Sequence, residues 1–187
     1  FGQSYQLFGL NSYAVADATN TGLDSGLQTP RSDYVASVNY SPNRTYTFSV
    51  RSRFDQATLE VNRFEAEARA NFDRWSVSML YGDYAAQPDL GYLTRREGVL
   101  GSASVKVAAN WVVSGSARWD IVANKMNQYI VGVGYVDDCF VLAVNYVTSY
   151  TYSAGTTPPV LNHAFMLQLG LRTIANSSAS NAGGGIQ

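Results

Sequence analysis

Apolar and polar residues alternate with period two over segment after segment of this chain, and the segments are long. In 111–121, Trp111, Val113, Gly115, Ala117, Trp119 and Ile121 share one parity, while Ser114, Ser116, Arg118 and Asp120 share the other. Successive side chains of a strand point to opposite faces, so this strand has one apolar and one polar side. The pattern recurs in 32–40, 45–54, 75–85, 96–108, 127–136, 139–152 and 163–174. A short strand is expected at 3–8. Segment 59–72 is less regular: Leu59, Val61 and Phe64 break parity, and Glu65 and Arg69 at i,i+4 spacing would also suit an exposed helix. The clean alternation from Phe64 to Phe72 decides for a strand.

The expected fold is all-β: an antiparallel up-and-down transmembrane β-barrel segment of about ten strands, with no helices of note. It would occupy 1–174. The other architecture with alternating strands is a soluble β-sandwich, but its strands average only about five or six residues. These segments run nearer the roughly 9–11 residues that cross a bilayer. No run of about 18 apolar residues is present, so no helix is expected to span a membrane.

Composition agrees with a sheet wetted on one side only. Charged residues are 14%, against about 25% in an ordinary domain. Tyr (13) outnumbers Phe (8) and Trp (3), which favours rings with a polar tip suited to interfaces. A net charge of −1 argues against a nucleic-acid partner held through its phosphates. All the basic residues except Lys106 and Lys125 are Arg, a choice that suits forked ion pairs. Phe1 is not a natural start, so an excised C-terminal piece or a mature fragment is expected. The tail 175–187 is low-complexity and expected to be disordered.

The connections sort by length. Short turns fall at 41–44, 73–74, 109–110 and 137–138, while longer loops fall at 9–31, 86–95 and 153–161, with shorter ones at 55–58 and 122–126. In an up-and-down sheet alternate connections share a side, so all the tight turns line one rim, as in outer-membrane barrels with short periplasmic turns. Tyr40, Phe72, Trp75, Trp111, Tyr135 and Phe140 border that rim, and Phe54, Tyr84, Trp119, Tyr129, Tyr150 and Phe165 the other. Two such belts match two membrane interfaces.

Several stretches carry a more specific likeness: SGLQTPRSDY at 25–34, PNRTY at 42–46, RFEAEAR at 63–69, RREG at 95–98, GYVDDCF at 134–140 and FMLQLGLRT at 165–173. Together they resemble the C-terminal barrel region of the LptD family, the lipopolysaccharide-assembly outer-membrane proteins once called organic solvent tolerance proteins. The resemblance covers about 1–174. It implies a barrel of about 26 strands in the bacterial outer membrane, surrounded by outer-membrane lipid. It further implies an LptE-like lipoprotein plug and a periplasmic jellyroll bridge that delivers lipopolysaccharide. The lipid would leave through a lateral gate between the first and last strands. Only the last ten or so strands are expected here, so this segment would not transport by itself.

By the same resemblance, Cys139 matches one position of the family's C-terminal cysteine pair, whose disulfides tie the barrel to the periplasmic domain. Phe140 stands beside it, so the pair is reduced to one; the alternative is a lone apolar cysteine. The polar parity supplies a lumen-facing charged set of Arg51, Arg53, Glu65, Glu67, Arg69, Lys106, Arg118, Asp120 and Arg172. These either satisfy one another across strands or line a path for an anionic glycan. The gate strand would present Phe165, Leu167, Leu169 and Leu171 outward, with Gln168, Gly170 and Arg172 inward.

An outer-membrane hydrolase of ten strands and a small independent pore remain as alternatives. Hydrolysis would need His163 with carboxylates such as Asp83 or Asp89 within hydrogen-bond reach. The loop beside His163 is rich in Thr and Pro and has no acidic neighbour. No nucleophile elbow, phosphate loop or metal-ligand spacing occurs, so no catalytic residue, metal or cofactor is expected.

Overall fold

A computed structural model describes residues 1–9, 11, 29–88, 92–151 and 160–171. Nine strands follow in chain order: β1 Tyr34–Tyr40, β2 Tyr46–Phe54, β3 Val61–Asn71, β4 Trp75–Tyr84, β5 Arg96–Lys106, β6 Trp111–Asp120, β7 Lys125–Val136, β8 Phe140–Thr151 and β9 Val160–Leu171. Each pairs antiparallel with its neighbours in sequence, giving one sheet in the order β1 to β9. The tenth strand expected at 3–8 is instead an extended segment bridged to the approach of β1. Gly2 pairs with Val35 and Tyr5 with Arg31. Segment 59–72 is a strand over most of its length. Leu59 lies outside it, in the turn that leads in, with a φ of 60°.

Strands contact only their sequence neighbours, and β1 and β9 do not meet among the described residues. Among the described residues the sheet is therefore one layer with no second sheet against either face, which sets aside the sandwich. Val147 is the one large aliphatic buried among the described residues. The alternation has sorted the side chains onto two faces rather than into a core.

Register makes that sorting continuous. Across β5 to β8, Ala103, Gly115, Val131 and Tyr146 lie in one row, and Val105, Val113, Val133 and Val144 in the next. On β9, Phe165, Leu167, Leu169 and Leu171 extend these rows and are 66–81% exposed. Two parity breaks are β-bulges. In β3, Ser52 faces Phe64 but Phe54 faces Val61, so Asn62 is the extra residue that restores Val61 to the apolar face. In β7, Arg118 faces Gln128 and Trp119 faces Met126, so Asn127 plays the same part.

The short-turn rim carries an aromatic ladder on the apolar face. Phe72 stacks on Trp75 at 4.0 Å and meets Tyr46 edge-on at 5.9 Å; Trp111, Tyr135 and Phe140 continue it at 5.2 and 5.5 Å. Toward the other rim, Phe64–Tyr81, Tyr129–Tyr150 and Tyr146–Phe165 form a second, sparser set. Charges at that end are paired. Arg95 grips Asp83 through two nitrogens, and Tyr81 donates to Glu97 at 2.6 Å.

Candidate functional site on the polar face

The charged residues of the polar face gather on β2 to β5 rather than spreading around it. Arg51 stands directly opposite Glu65, yet its ion pair runs diagonally to Glu67 at 3.5 Å. Glu67 also receives Arg69 at 2.5 Å. Glu65 is buried and accepts from two donors at one oxygen: Arg63 Nη2 at 2.6 Å and the Tyr84 hydroxyl at 2.6 Å. Arg53 faces Arg63 across the bulge. Asp33, just before β1, accepts from Asn62 Nδ2 at 3.1 Å, so Arg51, Arg53, Arg63, Arg69 and Arg96 outnumber Asp33, Glu65 and Glu67, and the patch is net cationic.

Tyr84 organises its upper end. It is placed on the polar face by parity, opposite Arg96 and Arg63, and so does not belong to the aromatic belt expected for it. Its ring folds back along β4 over Gly82. A Cβ at Gly82 would meet Tyr84 Cε2 at 2.7 Å, so glycine is what allows the ring to lie down and reach Glu65. The ring then receives cations from both sides: Arg63 Cζ sits 5.1 Å from its centroid and Arg96 Cζ 5.5 Å. Arg96 in turn lies 3.6 Å from the Tyr92 centroid. Cation–π contacts of this kind are strongest when water is excluded. Backbone hydrogen bonds between Gln87 and Tyr92 at 2.7 and 3.0 Å hold both residues beside Arg96, and Gln87 Oε1 accepts from Arg96 Nη2 at 2.5 Å.

The remaining expected lumen residues are dispersed. Lys106 sits at the short-turn end opposite Val112. Arg118 lies between Leu100 and Gln128 and joins no ion pair among the described residues. Asp120 is diverted from the charged set to the β6–β7 turn, where it accepts from the backbone N–H of Ala123 at 2.8 Å. Arg172, expected in both the lumen set and the gate strand, lies outside the described residues, as do Asp89 and the tail 175–187. Between the charged patch and β7 runs a hydroxyl track, with Ser76–Ser104 at 2.8 Å and Ser78–Ser102 at 2.7 Å. Beyond it the same face is mixed, with Ile130, Val141, Val147 and Met166 standing among Gln128, Asn145, Ser149 and Gln168 on β7 to β9.

The residues expected on a gate strand, Phe165, Leu167, Gln168, Leu169, Gly170 and Leu171, all lie on β9, with the facings the alternation predicts. His163 Nδ1 lies 2.8 Å from the Tyr146 hydroxyl and 3.2 Å from Thr148 Oγ1, while Asp83 is held by Arg95. Cys139 is an exposed free thiol just past the β7–β8 turn. With a single cysteine in the chain, the expected disulfide finds no support within it. In the β2–β3 loop, outside the strands, the backbone N–H groups of Thr58 and Ala57 hold the Asp55 carboxyl below the usual carboxylate range.

Long antiparallel strands in up-and-down order, with one face apolar and the other bearing a charged patch and hydroxyls, define a sheet of the outer-membrane type. The family described as LptD, LPS transport system D, matches residues 1–95. That is just over half of the 187 residues, and the chain belongs to this family. Among curated proteins none matches the chain.

Proposed function

We propose that residues 1–174 are the C-terminal wall of the outer-membrane barrel through which lipopolysaccharide reaches the outer leaflet. The apolar face meets outer-membrane lipid, and the polar face lines the lumen along the glycan path. The short-turn rim is periplasmic, where Cys139 can bridge to the jellyroll domain. β9 is one side of the lateral gate, and an LptE-like lipoprotein fills the lumen. The observation that carries this reading is the one-layer sheet itself: in a member of this family, both faces are open and opposite in character.

The test is charge reversal in the full-length protein. Arg51→Glu with Arg53→Glu should slow the appearance of lipopolysaccharide at the cell surface and raise outer-membrane permeability. Normal surface lipopolysaccharide and an intact barrier would refute the lumen assignment. Exchanging the ion pair, Arg51→Glu with Glu67→Arg, keeps net charge and separates loss of a structural pair from loss of the cationic path.

A further inference from the structure

Arg96 is the one residue described here with a buried side-chain nitrogen that lacks a hydrogen-bond partner: its Nε. The unsatisfied group belongs to a guanidinium already fixed in place. Tyr92 lies 3.6 Å from Cζ, Tyr84 lies 5.5 Å away, and Gln87 takes one N–H of Nη2. Nε and Nη2 share the edge of the guanidinium that grips a carboxylate or phosphate with two parallel hydrogen bonds. A shielded N–H with no acceptor is unfavourable, and an incoming oxyanion removes that penalty. The surroundings suit such a guest. Arg63 and Arg53 lie nearby, Glu65 is occupied by Arg63 and Tyr84, and Tyr92 is 45% exposed at the long-loop rim. A partly exposed aromatic ring beside a forked cation fits a sugar bearing an anionic group.

We propose that Arg96, framed by Tyr84, Tyr92 and Gln87, is a recognition site for an anionic sugar of the passing glycan, gripping its phosphate or carboxylate through Nε and Nη2. This rests on the reading of the polar face as a glycan path, and it adds a place on that path where the chain selects its cargo. Arg96 is distinguished among the described arginines by its buried, unpartnered Nε, and its Nη2 is given to a neutral amide rather than to a carboxylate. Arg63 and Arg69 spend theirs on Glu65 and Glu67.

The experiment uses the full-length protein in lipid nanodiscs and the deacylated oligosaccharide of the host's own lipopolysaccharide as probe. Arg96→Gln should weaken binding about ten- to hundredfold, the scale of losing a charge-assisted fork. Arg96→Lys should weaken it comparably, because lysine keeps the charge but not the planar edge. Arg44→Gln, an arginine in the β1–β2 turn at the opposite rim, should bind like wild type. Dephosphorylated and carboxyl-reduced probes identify the source, since only the treatment that removes the recognised group abolishes the Arg96 effect. Wild-type affinity in folded Arg96→Lys overturns the proposal, as does undiminished binding of a probe stripped of both groups. If Arg96→Gln does not fold, Arg96→Lys and Tyr92→Leu carry the test. Failure here with normal lipopolysaccharide delivery by the wild type leaves the transport reading standing.

Discussion

An arginine placed on the apolar face should cost far more than one placed a residue away on the polar face. The depth follows from β6. Trp111 and Trp119 are eight residues apart, about 27 Å along a strand rising about 3.4 Å per residue. At a tilt of about 40° the two rings stand roughly 20 Å apart in height, close to the apolar band of about 25 Å on such barrels. Gly115 is midway between them, and Ala103 on β5 is its register partner, so Ala103 sits near the midplane. Arg at that depth against lipid costs about 2–4 kcal/mol, a factor of roughly 30 to 1,000 in the folded-to-unfolded ratio. Ser104, the next residue, points the other way, and its replacement loses one hydroxyl contact to Ser76 at 2.8 Å. That is worth about 0.5–1.5 kcal/mol at most. Val107, beyond the end of β5 beside Trp111, is at the interface, where Arg should cost only about 0–1 kcal/mol.

The assay is equilibrium urea unfolding of the full-length protein in vesicles, read by heat-modifiable mobility. Ala103→Arg should be the least stable, with Ser104→Arg and Val107→Arg close to wild type. If Ser104→Arg cost as much as Ala103→Arg, the face assignment would be wrong. If Val107→Arg matched Ala103→Arg, the placement of the bilayer between the two aromatic sets would fail instead.

Gly82→Val should destabilise by about 1–3 kcal/mol by lifting Tyr84 off β4. Combined with Tyr84→Ala it should be no worse than Tyr84→Ala alone, and additive losses in thermal unfolding would show that Gly82 matters for another reason. The Asp55 carboxyl, held low by two backbone N–H groups, stabilises its turn at and above the ordinary carboxylate range. That contribution should fade as pH falls through its lowered folded pKa. Hydrogen exchange at Ala57 and Thr58 would show it as lost protection, and protection lost already at the ordinary carboxylate pKa would contradict the lowering. Cys139→Ser in the full-length protein should change its mobility in non-reducing electrophoresis, and unchanged mobility would remove the bridge to the periplasmic domain.

What alternation could convey is the frame of each strand, and with it which side chains share a face. The apolar rows through Ala103, Gly115 and Val131 were legible for that reason. A bulge appears in sequence only as a break in parity, and nothing in Val61-Asn62-Arg63 says whether a strand has bulged or a helix has begun. The structure resolves this because Phe54 and Ser52 on β2 must both find partners on the apolar face. Tyr84 went to the wrong face for a different cause. Aromatic character at a strand end suggested a lipid interface, but its parity matches Gly82 and opposes Tyr81, and the frame outweighs the residue type. The adjacent arginines make the same point, since Arg95 turns to Asp83 on one face and Arg96 to Tyr84 on the other.

The layout of the polar face was beyond any period-two pattern, because strand alternation does not encode which strands become neighbours to a patch. Lys106, Arg118 and Asp120 share the parity of the arginine cluster but stand away from it, beside Val112, Leu100 and the β6–β7 turn. Their separation leaves a hydroxyl track and then a mixed stretch over β7 to β9, where Ile130, Val147 and Met166 lie beside Asn145 and Gln168 on the face expected to be wet. If the polar face lines the glycan path as proposed, a wall cationic on β2 to β5 and less charged nearer β9 would suit cargo that is itself divided, with charged sugars tracking the first and less polar surface the second. That division makes the two halves separable by mutation. Met166→Glu should disturb passage without altering the Arg96 binding measured with deacylated oligosaccharide. Equal loss of both would mean that the face acts as a single surface.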